Sequence, residues 1–272
     1  MAAVNASYYT DPADSWSWAL EPVVRKLQVF FGPELRFDYV MSGLAREFGD
    51  PAATAAAWLD AAADSGMPVD PRLWLTDPPQ SSYPACLAVK AAAEQGEDVA
   101  AAYLRRLREG FACQRRKLDG AEALADVARG VPGLDAQRFA SDLQSHAIVE
   151  DFGADIDRAE AVPDDACAPG SQRVRLPSIE FRGADGAAHA VYGKQPYETY
   201  RDAAQAAGAA PVGGAAPSVD EALRRFPTLA TPEVAAVCEL PGPRAAAELW
   251  RLAAEWKVSA ARCLSGELWR LA

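Results

Sequence analysis

The sequence predicts an α/β protein: a mixed sheet with a large helical insertion, followed by a small C-terminal unit. Three observations carry that prediction. An aromatic extended segment, a helix and a second extended segment fill residues 3 to 41, the order of a strand–helix–strand unit. Residues 48 to 150 then show helical periodicity without strand signals, and two extended segments return between 174 and 193. Finally, the Gly/Ala/Pro run "GAAPVGGAAPS" at 208–218 separates this body from three short helices and a hairpin. A strand–helix–strand unit completed by a later hairpin and helix makes one mixed sheet with helices on both faces.

Each element has a local reason. Residues 3–9 form a strand that runs into "TDPADSW", and residues 15–31 read as a helix with Trp18, Val24, Leu27 and Phe31 at helical spacing. Pro22 falls inside that pattern, where its missing donor predicts a kink. A Gly32-Pro33 turn leads to a strand from Leu35 to Met41. In the insertion, "PAATAAAWLDAAADSG" closes on Gly66, and "SSYPACLAVKAAAEQG" opens on serine caps and closes on Gly96. Further helices run through "EDVAAAYLRRLREGFACQRR", "GAEALADVARG" and "LDAQRFASDLQSHAIVEDFGADIDRAE". Val174–Phe181 and Ala188–Tyr192 make strands around an Asp185-Gly186 turn, and "KQPYETYRDAAQAAG" is a closing helix. The tail reads as helices near 219–226, 232–239 and 243–256, then two short strands around Ser265-Gly266, the outline of a winged helix. The expected organisation is a mixed-sheet domain from 1–48 and 151–207, a helical insertion at 49–150, a linker at 208–218, and a winged-helix-like domain at 219–272.

Composition narrows the function classes. The 272 residues are 50% hydrophobic and 24% charged, as in a folded globular chain, with a net charge of −11. That charge repels phosphate backbones, and the tail itself balances seven basic residues against seven acidic ones. Nucleic acid is therefore not an expected partner. No stretch approaches a membrane span, and "MAAVNASYYTD" lacks the features of a signal peptide, so the expected location is the cytoplasm. Cys86, Cys113, Cys167, Cys238 and Cys263 are odd in number and form no C-x-x-C pair. With only His146 and His189 beside them, neither a disulfide framework nor a zinc site is expected. Trp250, Trp256 and Trp269 are expected to fasten the tail to the body or to present a protein-binding face.

"TDPADSWSWALEP", "LPSIEF" and "YGKQPYETY", in that order around a helical insertion, resemble the DsbA-like thioredoxin-fold proteins. The cytosolic FrnE-like branch, also labelled dithiol-disulfide isomerase, is the nearest in pattern. Its usual opening is D-P-x-C-P-W-C-W-x-x-E-P. Asp11, Pro12, Trp16, Trp18, Glu21 and Pro22 match it, whereas Asp14 and Ser17 occupy the two cysteine positions and Ser15 the proline between them. The resemblance covers residues 1 to 207. It implies a cis peptide at Leu176–Pro177 facing the turn, with the main chain just before the proline pairing with an extended substrate. The tail resembles the extra domain of some members, among them adaptors that deliver a regulator to the ClpXP protease.

Thiol–disulfide exchange needs an attacking thiolate and a resolving thiol, and Asp14 and Ser17 supply neither. Asp14 is expected to serve as a helix cap. The leading expectation is a redox-inactive binding protein, an adaptor or regulator. Its groove, formed by Asp14, Ser15, Trp16, Ser17, Trp18, Leu176 and Pro177, would hold an extended peptide or a small molecule without a cofactor. The alternative is a thiol- or glutathione-dependent isomerase, transferase or residual oxidoreductase using Ser17, Ser15 or Cys86, with glutathione or another low-molecular-weight thiol as co-substrate. In that reading Cys86, in the first turn of its helix, has a pKa lowered by the helix dipole.

Overall fold

A computed structural model describes residues 3–272. Its main sheet has four strands: β1 (Val4–Thr10), β2 (Leu35–Met41), β3 (Ser178–Arg182) and β4 (Ala188–Val191), in the order β2-β1-β3-β4. β2 runs parallel to β1 from Val4↔Leu35 to Thr10↔Met41, while β3 runs antiparallel to it with Tyr9 opposite Ser178. β1 is thus a central strand, and Val4, Ala6 and Tyr8 are buried in it. β3 begins four residues later than the sequence suggests. Val174 instead bridges to Cys167, and the Leu176–Pro177 peptide is cis.

The expected kinked helix is two helices, α1 (Ser15–Ala19) and α2 (Glu21–Phe31). Leu20 closes the first and opens the second, so Pro22 lies in the first turn of α2. There the proline removes a donor that has no partner in any helix start, and it costs nothing. Val24, Leu27 and Phe31 of α2 pack with Tyr8, Phe37, Ile179 and Phe181 of the sheet. Each such buried side chain contributes about 1.5–3 kcal/mol.

The insertion comprises α3 (Pro51–Ser65), α4 (Arg72–Thr76), α5 (Tyr83–Ala93), α6 (Glu97–Ala112), α7 (Ala121–Arg129), α8 (Ala136–Asp142) and α9 (His146–Glu160). The long "LDAQRF…DRAE" run breaks between α8 and α9 because Ser145 caps a fresh start, accepting from the Ala147 N–H at 3.1 Å. A core of Trp58, Trp74, Tyr103, Leu107, Phe111 and Phe139 holds these helices together and receives Trp18 from α1. α10 (Tyr197–Ala206) then packs on β3 and β4.

The tail contains α11 (Val219–Arg225), β5 (Leu229–Ala230), α12 (Thr231–Val237), α13 (Gly242–Ala254), β6 (Val258–Arg262) and β7 (Glu267–Leu271). β5 adds a third strand to the expected hairpin, giving the sheet order β5-β7-β6. The tryptophans do not fasten this unit to the body. Trp269 is fully buried among tail residues such as Leu223, Val234 and Leu249, and Trp250 stacks edge-on against it. Trp256 is 87% exposed. The seam combines apolar and polar contacts. Leu268 and Ala230 lie in the insertion core, and Val29 of α2 packs against the tail core. Ser265 Oγ accepts from the Val69 N–H at 2.8 Å, Arg225 donates to the Gln28 carbonyl at 2.6 Å, and Arg105 of α6 pairs with Glu233 of α12.

Candidate functional site

β1 ends at Thr10, and the chain turns through Asp11–Ala13 into α1. Asp14 is the N-cap in extended conformation, and its Oδ2 accepts from both the backbone N–H of Ser17 (2.7 Å) and the Ser17 hydroxyl (2.6 Å). The Ser17 hydroxyl oxygen in turn accepts from the Thr10 hydroxyl at 2.8 Å. Both positions that would carry sulfur are therefore bonded to each other. Asp14 is only 5% exposed and Ser17 is fully buried. Burial lifts the Asp14 carboxyl to about 6, although the two bonds from Ser17 pull the other way. The expected groove is a closed turn: Asp14, Ser15, Ser17, Trp18 and Pro177 are buried, and only Trp16 and Leu176 remain half-exposed. The Tyr9–Ser178 register brings the Leu176–Pro177 peptide to the Thr10 end of β1, from which α1 departs.

Behind the turn lies a buried ionic cluster that sequence reading missed. Arg108 of α6 donates to the Thr10 hydroxyl and to Glu21, and its guanidinium lies over the Tyr8 ring. Arg105, one turn earlier, bridges Glu21 (2.9 Å), Glu109 (2.8 Å) and Glu233 (2.7 Å), with its guanidinium 4.7 Å from the Trp18 ring centre. Burial raises the Glu21 carboxyl, but the guanidiniums of Arg25, Arg108 and Arg105 outweigh it and hold the group at about 2. Burial likewise works against the Arg105 charge, and Glu233, Glu109 and Glu21 more than reverse it. In "LRRLREG" these residues look like an ordinary solvated helix face. The available signal was Glu21, an acid whose position matches the resembled family's opening.

A sheet of order β2-β1-β3-β4, a helix leaving the end of its central strand, and an all-helical insertion decide the comparison with known proteins. The family model described as Thioredoxin matches residues 8–162, more than half of the chain. The chain belongs to the thioredoxin family. Its fold is shared with a putative protein disulfide isomerase from Nitrosomonas europaea (TM-score 0.63, 17% identity, 75% of this chain and 97% of that one). It is also shared with the cytosolic disulfide reductase DsbM from Pseudomonas aeruginosa (TM-score 0.54, 19% identity, 74% and 92%). The neighbours are DsbA-family oxidoreductases in fold. Sequence relatives include the ClpXP adapter protein SpxH of Halalkalibacterium halodurans, 28% identical over 96% of this chain and 87% of that protein. That of Bacillus subtilis is 26% identical over the same shares.

In this thioredoxin-family member the remaining candidates do not form a reactive set. Cys86 is fully buried and donates to Asp11 Oδ2 at 3.2 Å. Burial first, and the Asp11 carboxylate second, push its thiol well above the ordinary cysteine range. The expected lowering by the helix dipole is overridden, because a thiolate there would face an anion without water. Asp11 is itself committed, accepting from Ala13, Leu44 and Ser82 as well. Ser82 holds the N-cap position of α5, but its hydroxyl is turned to Asp11 and makes no cap bond; Ser81 Oγ accepts from the Tyr83 N–H at 3.1 Å. The structure also joins two cysteines to which the sequence assigned no role. Cys113, at the end of α6, donates to the Pro68 carbonyl at 3.2 Å, and Cys263 in the tail hairpin turn packs against the same core. The nearness of the two thiols chiefly raises Cys113 and lowers Cys263.

Proposed function

We propose that the chain is an adaptor that binds a protein segment and performs no dithiol turnover. The observation that carries this reading is the turn chemistry: a carboxylate and a hydroxyl, bonded to each other, stand where exchange needs two thiols. The ClpXP adapter relatives align with 96% of the chain, which supports an adaptor role for body and tail together. The partners in this reading are a client protein and the ClpXP protease, and the location is cytoplasmic. The half-exposed Trp16 and Leu176, at the rim of the closed turn, are the proposed contact for an extended client segment. Glutathione fits this turn poorly, because the Asp14 carboxylate would oppose a bound thiolate and the Ser17 hydroxyl is already engaged.

The test is reconstitution. Proteins whose half-life lengthens in a deletion strain are purified and incubated with ClpXP, with and without this chain. The adaptor reading expects at least one to be degraded faster when the chain is present, and Trp16→Ala with Leu176→Ala to weaken that stimulation. Unchanged degradation of every such protein would contradict it.

A further inference from the structure

We propose that the outer edge of β2 binds an acidic extended segment of a partner protein as a fifth strand of the main sheet. β2 is a terminal strand of that sheet. Ser42, just past its end, donates to the Thr10 carbonyl at 2.9 Å, so the even-numbered residues of β2 turn their main-chain groups toward β1. The odd-numbered residues turn theirs outward, as Met41 does in donating to Asp155 Oδ2 at 2.9 Å. At the start of the strand, the Leu35 N–H is taken by the Gly32 carbonyl. Between these capped ends, the N–H and C=O groups of Phe37 and Tyr39 have no partner among the described residues. Unpaired edge groups of this kind are a template for a further strand.

The edge is not simply open to solvent. Leu35, Phe37 and Tyr39 line a cavity of about 590 Å³, whose far wall is α6 and whose floor is formed by α2 and the Phe226–Thr228 segment. Most exposed edges in proteins are blunted by a packed helix or by lysines. Here α6 faces the edge across a gap, and Ala101 and Ala102 leave room in it. The cavity is also walled by arginine. Arg36, Arg106 and Arg225, from β2, α6 and α11, pair with no carboxylate among the described residues. Arg25, in the same wall, is already paired with Glu21 at 3.1 Å and Glu233 at 3.7 Å. Glu97 and Asp98, in the first turn of α6, are the acids of the lining. Guanidiniums without a carboxylate partner, gathered along a strand edge in a chain of net charge −11, select an acidic segment, because a guanidinium can take a carboxylate in bidentate fashion.

This site does not use Trp16 or Leu176. It rests on the adaptor reading only for the idea that the partner is a protein, and its test needs no protease. A negative result here therefore leaves the degradation assay to decide that reading separately.

The probe is a fluorescein-labelled hexapeptide alternating glutamate and valine, titrated with the full chain by fluorescence anisotropy. Saturable binding is expected, weaker by about tenfold or more for Arg36→Glu combined with Arg106→Glu. Both residues are exposed, and circular dichroism checks that the variant is folded. A strand added at one edge uses every second amide. Methylating alternate peptide nitrogens in one phase should therefore abolish binding, and methylating them in the other phase should spare it. Equal binding of both methylated peptides, or equal binding of an analogue with lysine in place of glutamate, would overturn the proposal. So would displacement by millimolar inorganic phosphate, which would mark a small-anion site. A sedimenting dimer dispersed by the charge reversal would overturn it too, since the edge would then serve a second copy of this chain.

Discussion

The turn at Asp14–Trp18 and the edge of β2 belong to the same sheet, yet they treat polar groups in opposite ways. At the turn, Asp14, Ser17 and Thr10 satisfy one another, and Arg108 backs them from α6. Along β2, the Phe37 and Tyr39 main-chain groups have no partner, and Arg36, Arg106 and Arg225 no carboxylate, among the described residues, beside a cavity of about 590 Å³. In a fold whose solved neighbours include disulfide reductases, the turn is the place to look for chemistry. Here that place is closed, and unsatisfied donors and acceptors have collected at another. The contrast teaches that a buried carboxylate at a helix start can serve as structure alone, while open polar groups gather at a different surface of the same sheet.

The comparison can be broken most forcefully at the cluster behind the turn. Arg105→Met leaves Glu21, Glu109 and Glu233 buried without their shared counter-charge, and should cost about 3–5 kcal/mol in equilibrium denaturation. Adding Glu233→Leu should recover part of that loss, because one uncompensated charge goes with it. The cluster also has an acid limit. Glu21 is held below its unfolded value, so its contribution is present above pH 4.5 and is lost as pH falls toward about 2.

A smaller effect separates cap from catalyst at Asp14. Its folded pKa lies above the unfolded 3.8, so its contribution is full below that pH and is lost as pH rises through about 6. Asp14→Asn keeps an acceptor for the Ser17 N–H without the charge. Relative to the parent chain, it should gain about 1–3 kcal/mol of stability between pH 3.5 and pH 7.5, read from urea melts at both. Asp14→Ala, which removes the cap, should cost about 1 kcal/mol. The smallest effect concerns the cysteines. Cys263 is half-buried and its thiol is shifted down, so a maleimide should label it faster than the buried Cys86, Cys113 and Cys238.

Much of the fold was legible because it rests on local rules. The Asp14 cap, the Gly66 stop and the β2 span follow from residue chemistry at one place in the chain. What escaped was set by contacts distant in sequence. Cys86 looked reactive at a helix start until Asp11, 75 residues away, appeared beside it. Arg105 and Arg108 looked solvated until the fold brought Glu21 of α2 and Glu233 of α12 to them. Leu229–Ala230 is too short to read as a strand without Leu268 and Trp269 opposite it. The free edge of β2 could not be seen at all, because being unpaired is a property of the sheet and not of the segment.

The central claim is that this turn holds no exchangeable sulfur, and an insulin-reduction assay with glutathione as electron donor tests it most directly. The account predicts a rate equal to that of glutathione alone, for the parent chain and for Cys86→Ser alike. Turnover above that background, abolished by Cys86→Ser, would contradict it.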